Sequence, residues 1–318
     1  MAFIYFVLKK RNNDTIFSHY CKRFPFSVKY EMQKTTRIQR TLLLIVVVLT
    51  SACAGNKGPH NITLNYVEYN RGKSFPTHSD VQMDWNGNSV LLNDVRFEDD
   101  SFFPDNSIIP NAFFKPLFQL KFNDALKAFT EPYYGYRFIH FFKSNPRFGI
   151  GIEFTHHKIF LNQPEQIVDI SGVYNGESKD GAAVVGDYVD YLSVSHGVND
   201  LSLLFTYRWL LNPTPAIPEG RLQPFVVAGV GPSFPHLELK LRENAPAWND
   251  YSYQSGLNNF NFGAGLGLRF KFSPHFGCYL EYKIAYSHLH DLTFNDGAGT
   301  LKMAFTTHHL MWGLSYIF

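Results

Sequence analysis

Hydrophobic and polar residues alternate with a period of two along the second half of this chain, over segments long enough to cross a bilayer. In NFNFGAGLGLRFKF, Phe260, Phe262, Ala264, Leu266, Leu268, Phe270 and Phe272 share one face. Asn259, Asn261, Gly263, Gly265, Gly267, Arg269 and Lys271 share the other, because successive side chains of a strand point to opposite sides. LSLLFTYRWLL sets Leu201, Leu203, Phe205, Tyr207 and Trp209 against Ser202, Thr206 and Arg208. FGCYLEYKIAY sets Cys278, Leu280, Tyr282, Ile284 and Tyr286 against Tyr279, Glu281 and Lys283. The last residues do the same, Leu310, Trp312, Leu314, Tyr316 and Phe318 against Met311, Gly313 and Ser315. A soluble sandwich alternates too, but its outer face is charged and seldom aromatic. Here the apolar face is continuous and aromatic for about ten residues, the length of one tilted membrane crossing.

The pattern predicts an all-β fold, an antiparallel transmembrane β-barrel. From Tyr133 onward it gives strands at 133–143, 147–160, 199–211, 222–241, 258–272, 276–291 and 301–318. NITLNYVEY (Asn61 to Tyr69) supplies an eighth, and an extra hairpin around 89–96 and 117–123 would make ten. Eight is the expectation. Tight turns at Ser144–Arg147, Pro213–Arg221 and Ser273–His275 alternate with longer polar stretches at Gln163–Val198, Ala245–Leu257 and Asn295–Thr300. That is the arrangement of short periplasmic turns and long extracellular loops. Residues of about 70–132 would then be an outsized first loop, long enough to count against the assignment.

Composition supports this reading. The 318 residues include 31 Phe and 18 Tyr but carry only 18% charged residues and a formal net charge of +2. No stretch reaches the ~18 apolar residues of a membrane helix, and no basic run is interleaved with aromatics, which excludes a nucleic-acid surface. MQKTTRIQR followed by TLLLIVVVLT and Ala52-Cys53-Ala54 has the layout of a secretory signal peptide over 32–54. Residues 1–31 are then an upstream extension, Met32 the start, and 55–318 the barrel domain. Lipidation of Cys53 is the alternative to cleavage after Ala54. Cys278 is the one cysteine of the mature chain, so no internal disulfide is expected.

Inward-facing Arg137, Glu153, Arg208, Arg269, Glu281 and Lys283 are expected to form an interior ion-pair network, since buried charges need partners. His156, His157, His236, His288, His290, His308 and His309 all fall towards the outer rim. His288 and His290 share a strand face, and the next strand brings His308 near. These three are candidate ligands for a divalent transition metal, with an interfacial belt of amphipathic rings as the alternative. Ser287, His288 and Asp291 suggest a hydrolase triad, but adjacent strand residues face opposite ways and cannot share the activating hydrogen bond.

The segments PYYGYRF (132–138), FGIGIEFTHHKIF (148–160), PFVVAGVGPSFPH (224–236), LEYKIAYS and DGAGTLK occur in that order. Together they resemble the outer-membrane lipid A oxidase family, a group of small OmpA-like barrels, over roughly 131–318. The resemblance implies oxygen-dependent oxidation of the proximal glucosamine of lipid A, with His156, Lys158 and His236 as catalytic residues. It also implies residence in the outer membrane, lipopolysaccharide as partner, and Phe318 as a terminal signal for the barrel assembly machinery. Three departures count against it, a long 70–130 region, a long 163–198 loop, and His308 where an amide side chain would be expected. A non-enzymatic structural or surface-binding barrel is the other reading, and whether the chain is an enzyme stays open at this point.

Overall fold

The computed structural model describes residues 64–99, 133–194, 196–242, 249–250, 253–256, 258–294 and 297–318. The expectations for 1–31, for the signal peptide at 32–54 with Cys53, and for a strand at 117–123 lie outside the described residues.

In chain order the strands begin with β1 (Asn65–Pro76), β2 (Ser79–Trp85), β3 (Asn88–Val95), β4 (Tyr134–Phe142), β5 (Asn145–His156), β6 (Ile159–Phe160), β7 (Ile167–Tyr174) and β8 (Glu177–Val184). They continue with β9 (Val189–Val194), β10 (Asp200–Arg208), β11 (Leu222–Pro232), β12 (Glu238–Leu241), β13 (Asn249–Asp250), β14 (Phe260–Lys271), β15 (Phe276–Phe294) and β16 (Gly299–Ile317). Eight of them pair antiparallel in the order β1-β4-β5-β10-β11-β14-β15-β16, and β16 pairs back onto β1 from Tyr66↔Ile317 to Pro76↔Thr307. The ring is closed, so no strand edge in it is left without a partner. That is the condition for backbone amides to survive in hydrocarbon.

The strands form because their residues fit a surface that is greasy outside and polar inside. Leu266, Leu280 and Leu314 are more than half exposed, while Asn261, Arg269, Lys271, Glu281 and Ser315 on the same strands are buried. The outward residues meet lipid, so an exposure that would be costly in water is favourable here. The protein is an integral membrane β-barrel.

Charges fill the barrel. Arg137 reaches Glu281 at 2.7 Å, Glu153 at 3.1 Å and Glu68 at 3.4 Å. Arg269 holds Glu68 at 2.6 Å, Ser315 donates to the same carboxylate at 2.7 Å, and Lys283 holds Glu153 at 2.8 Å. Of the six interior residues read from sequence, Arg208 stands apart from this web. It lies one layer lower, bonded to Tyr66 and Gln223, with its guanidinium 3.6 Å from the Phe141 ring centre. Glu68, and the Lys271–Glu219 pair below it, were not among the expected members.

Above the membrane the structure departs from the expected loops. Of the extra hairpin expected around 89–96 and 117–123, the first strand is present as β3. Its hairpin partner is β2, which pairs with the upper end of β16 through Trp85↔Gly299 to Val81↔Met303 rather than entering the ring. β7 and β8 extend that sheet, and β13-β12-β9-β6 form a second one. Their facing residues build one apolar core containing Met83, Trp85, Leu92, Ile170, Leu192, Leu239, Phe294 and Leu301. A β-sandwich head therefore sits on the barrel. It is continuous with it through β15 and β16, each 19 residues long.

The junction is written in β16. Below it the inward positions are Ser315, Gly313, His309 and Thr307 and the outward ones Leu314, Trp312 and Leu310. Above it the inward positions become Phe305, Met303 and Leu301, all within the head core, and the outward ones Thr306, Lys302 and Thr300. The binary pattern inverts because the surroundings invert: lipid outside and polar lumen below, water outside and apolar core above.

Two outcomes test this architecture. Arg137→Ala leaves Glu68, Glu153 and Glu281 facing one another without their shared cation, and is expected to lower barrel stability by about 3–5 kcal/mol, read from the urea midpoint of the refolded protein. At the junction, burial pushes the Asp99 carboxyl up to about 6, opposed by the hydrogen bond from the Ser74 amide. The folded state then keeps a proton that the unfolded state releases, so stability rises as pH falls from 7 through 6 towards 4. The head should be more stable at pH 5 than at pH 8 by about 1.4 kcal/mol, and Asp99→Asn should remove that difference.

Candidate functional site

Strands β10 and β11 are ladder neighbours, so the segments leaving their upper ends must run side by side. An Asp200↔Ser233 bridge extends the pair, with Ser233 Oγ donating to Asp200 Oδ1 at 2.5 Å. Asn199 then joins the two segments. Its Nδ2 donates to the carbonyls of His196 (3.0 Å), Gly197 (2.8 Å) and Phe234 (3.0 Å), and its own carbonyl accepts from the Phe234 amide. Asn199 adopts φ 57° and Gly197 φ 97°, left-handed conformations that asparagine and glycine tolerate best. A β-carbon at Gly197 would also collide with the His156 ring.

This turn brings three ionisable side chains together. His196 Nδ1 lies 3.2 Å from His236 Nδ1 and 3.1 Å from Glu238 Oε1, and His236 Nδ1 is 4.0 Å from that same oxygen. His236 and Glu238 are largely buried and His196 is more than half exposed. The other carboxylate oxygen of Glu238 accepts from Ser193 Oγ at 3.3 Å and Tyr191 OH at 3.4 Å, both on the neighbouring strand β9. That leaves Oε1 directed at the imidazoles. Tyr253 covers His236 with ring centres 5.2 Å apart.

The residues expected from sequence divide between this place and others. His236 is in the cluster. His156 is one step away: it is buried, stacked on Tyr134 at 4.7 Å, and bonded through Nδ1 to Asn199 Oδ1 at 2.8 Å. Lys158 follows β5, half-buried. The proposed metal set of His288, His290 and His308 does not converge. His288 and His290 stack on the outer surface with ring centres 5.7 Å apart. The ladder partner of His288 is Ala304, so His308, opposite Ile284, stands four residues lower, roughly 13 Å at 3.3 Å per residue. His308 bonds to Tyr282 OH at 2.5 Å instead. Ser287 is buried inside while His288 faces out, so they form no triad. His157 and His309 point into the top of the lumen, their rings 5.0 Å apart, with His309 bonded to Tyr133 OH at 3.1 Å.

His196 and Glu238 were missed. His236-x-Glu238 has the spacing of two residues that places both on one strand face, and that signal was present in the sequence. His196 had none, because it lies 40 residues away in a stretch read as loop.

No family model matches the chain, and no curated protein matches it. Solved structures that resemble it include the outer membrane protein OprG from Pseudomonas aeruginosa. That match has a TM-score of 0.36 and 12% identity, covering 81% of this chain and 97% of that one. The outer membrane protease OmpT from Escherichia coli gives 0.35 and 8%, covering 83% and 99%. Neisserial surface protein A gives 0.32 and 8%, covering 82% and 100%. At such scores these likenesses carry no inference about what the chain does.

If Asn199 is the brace described, Asn199→Ala should speed amide exchange at Phe234 and His236 by tenfold or more. Amides of β14 and β15 in the barrel wall should be unaffected, as read by hydrogen–deuterium exchange in detergent micelles.

Proposed function

We propose that this outer-membrane barrel carries an oxidase site on its outward side, acting on the proximal glucosamine of lipid A with molecular oxygen as electron acceptor. The observation that carries the reading is the convergence of His196, His236 and Glu238 where the head meets the barrel wall. With the short turns taken as the periplasmic end, the cluster would lie above the membrane band, on the side of the outer-leaflet headgroups. His156 and His236, implied by the family resemblance, come to one place through Asn199.

The chemistry balances as a two-electron step. In lipid A whose anomeric hydroxyl carries no phosphate, the C1–H and O1–H of the proximal glucosamine give up two electrons and two protons to form the lactone. Oxygen takes both pairs to become hydrogen peroxide, and water opens the lactone to aminogluconate. His196, the exposed member, marks the side of the cluster that a sugar can reach. The O1 proton passes to the oxygen being reduced as hydrogen peroxide forms. His156, sealed against Tyr134, is a positioning residue that acts through Asn199. Lys158, implied by the resemblance, would meet a phosphate of the lipid.

One observation favours a second reading, a surface-binding barrel without catalysis. The β7–β8 hairpin displays Ile167 at 72% exposure on the head.

Mass spectrometry of lipid A from cells with and without the protein separates the two. The oxidase reading expects a species heavier by one oxygen in aerated cells, absent under anaerobiosis and reduced at least 100-fold by His196→Ala. An unchanged lipid A profile in air, with the protein folded in the outer membrane, contradicts it.

A further inference from the structure

We propose that His196, His236 and Glu238 bind one divalent transition-metal ion. Ligand atoms about 2 Å from one ion and 90–110° apart stand roughly 3–3.5 Å from each other. Two of the three separations, 3.1 and 3.2 Å, fall in that range. The third, 4.0 Å, closes with a small rotation of the Glu238 carboxylate. All three donor atoms lie within 4.8 Å of one another, the single such group among the described residues.

What surrounds the trio is built like the outer shell of a metal site. Ser193 and Tyr191 hold Glu238 Oε2 and so orient Oε1, as outer-shell donors orient a metal-binding carboxylate. The His236 amide donates to the Gly197 carbonyl at 3.3 Å, and Asn199 fixes the carbonyl on either side of the turn. The ligands thus come from two elements that Asn199 ties together, the segment running into β12 and the turn before β10. Such a cluster resists collapse when its members repel.

Ligand chemistry narrows the ion. Two imidazoles and one carboxylate, without a thiolate, suit iron(II), manganese(II) or zinc(II) rather than copper(I). Three protein ligands leave coordination positions open, and His196 is exposed on that side. Two nitrogens and a carboxylate with open positions are the ligand set of iron(II) sites that use oxygen. A redox role for the ion rests on the oxidase reading above, whereas binding of the ion does not.

The test uses the full chain purified in detergent, stripped with a chelator and dialysed anaerobically against iron(II), and in parallel against zinc(II). Bound metal is counted by mass spectrometry of the elements. About one ion per chain is expected, with affinity falling at least 100-fold in His236→Ala and Glu238→Gln and roughly 10-fold in Tyr191→Phe. His288→Ala/His290→Ala, on the outer barrel wall, should bind like the parent. Heat-modifiable migration on gels confirms that each variant retains its barrel. Binding that survives Glu238→Gln and His236→Ala, or is lost with His288 and His290, overturns the proposal, as does the absence of binding in the folded parent. Metal bound at one per chain with unaltered lipid A sinks the oxidase reading alone. Oxidation by a metal-free Glu238→Gln variant sinks the ion's redox role alone and leaves the binding site standing.

Discussion

A peptide group in hydrocarbon has no water to bond to, and leaving one unpaired costs several kcal/mol. Every large feature of this protein follows from meeting that demand with strands. β1 must return to β16, which fixes an even ring with both ends on the side of the short turns. Once the ring is closed, alternate side chains are forced inward, and eight strands leave an interior that side chains must fill. Arg137, Arg269, Glu68, Glu153 and Glu281 fill it as mutually bonded charges. Removing one partner is costly because the rest are held where water cannot replace it.

The head follows from the same geometry with the solvent exchanged. β15 and β16 continue past the membrane, and their inward positions turn from Lys283, Ser287 and Thr307 to Leu289, Phe305 and Met303. An apolar face in water needs a cover, and the second sheet β13-β12-β9-β6 provides it. A bulge between Leu289 and Leu292, with Asp291 at φ 57°, marks the change on β15. The polar column of the lumen thus ends beneath an apolar core. His196, His236 and Glu238 lie at the seam, where the segments leaving the barrel wall become the strands of the sandwich.

How much of this could be read from the chain depends on the range of the contacts. The barrel was legible because a period of two is local and its repetition over eight segments is hard to imitate. The head was not, since β7 and β8 carry polar residues such as Asp169, Glu177 and Lys179 and pass for loop. The inversion in β16 at Thr306 was visible, but it was read as one uniform strand. Among the histidines, spacing alone misled. His288 and His290 share a face yet look outward, and the ladder register carries His308 away from them. His236 emerged through a family resemblance, and its partner His196 is supplied by a turn that Asn199 shapes, a contact without a sequence period.

The most direct measurement is the collision of spin labels with oxygen, which prefers lipid, and with a nickel chelate confined to water. Labels at Leu266 and Leu314 on the barrel wall should relax with oxygen and be shielded from nickel. Labels at Ile167 and Val173 on the head should behave the opposite way. Wall labels open to nickel, or closed to both reagents as in a buried sandwich core, would contradict a lipid-facing ring topped by a water-facing head.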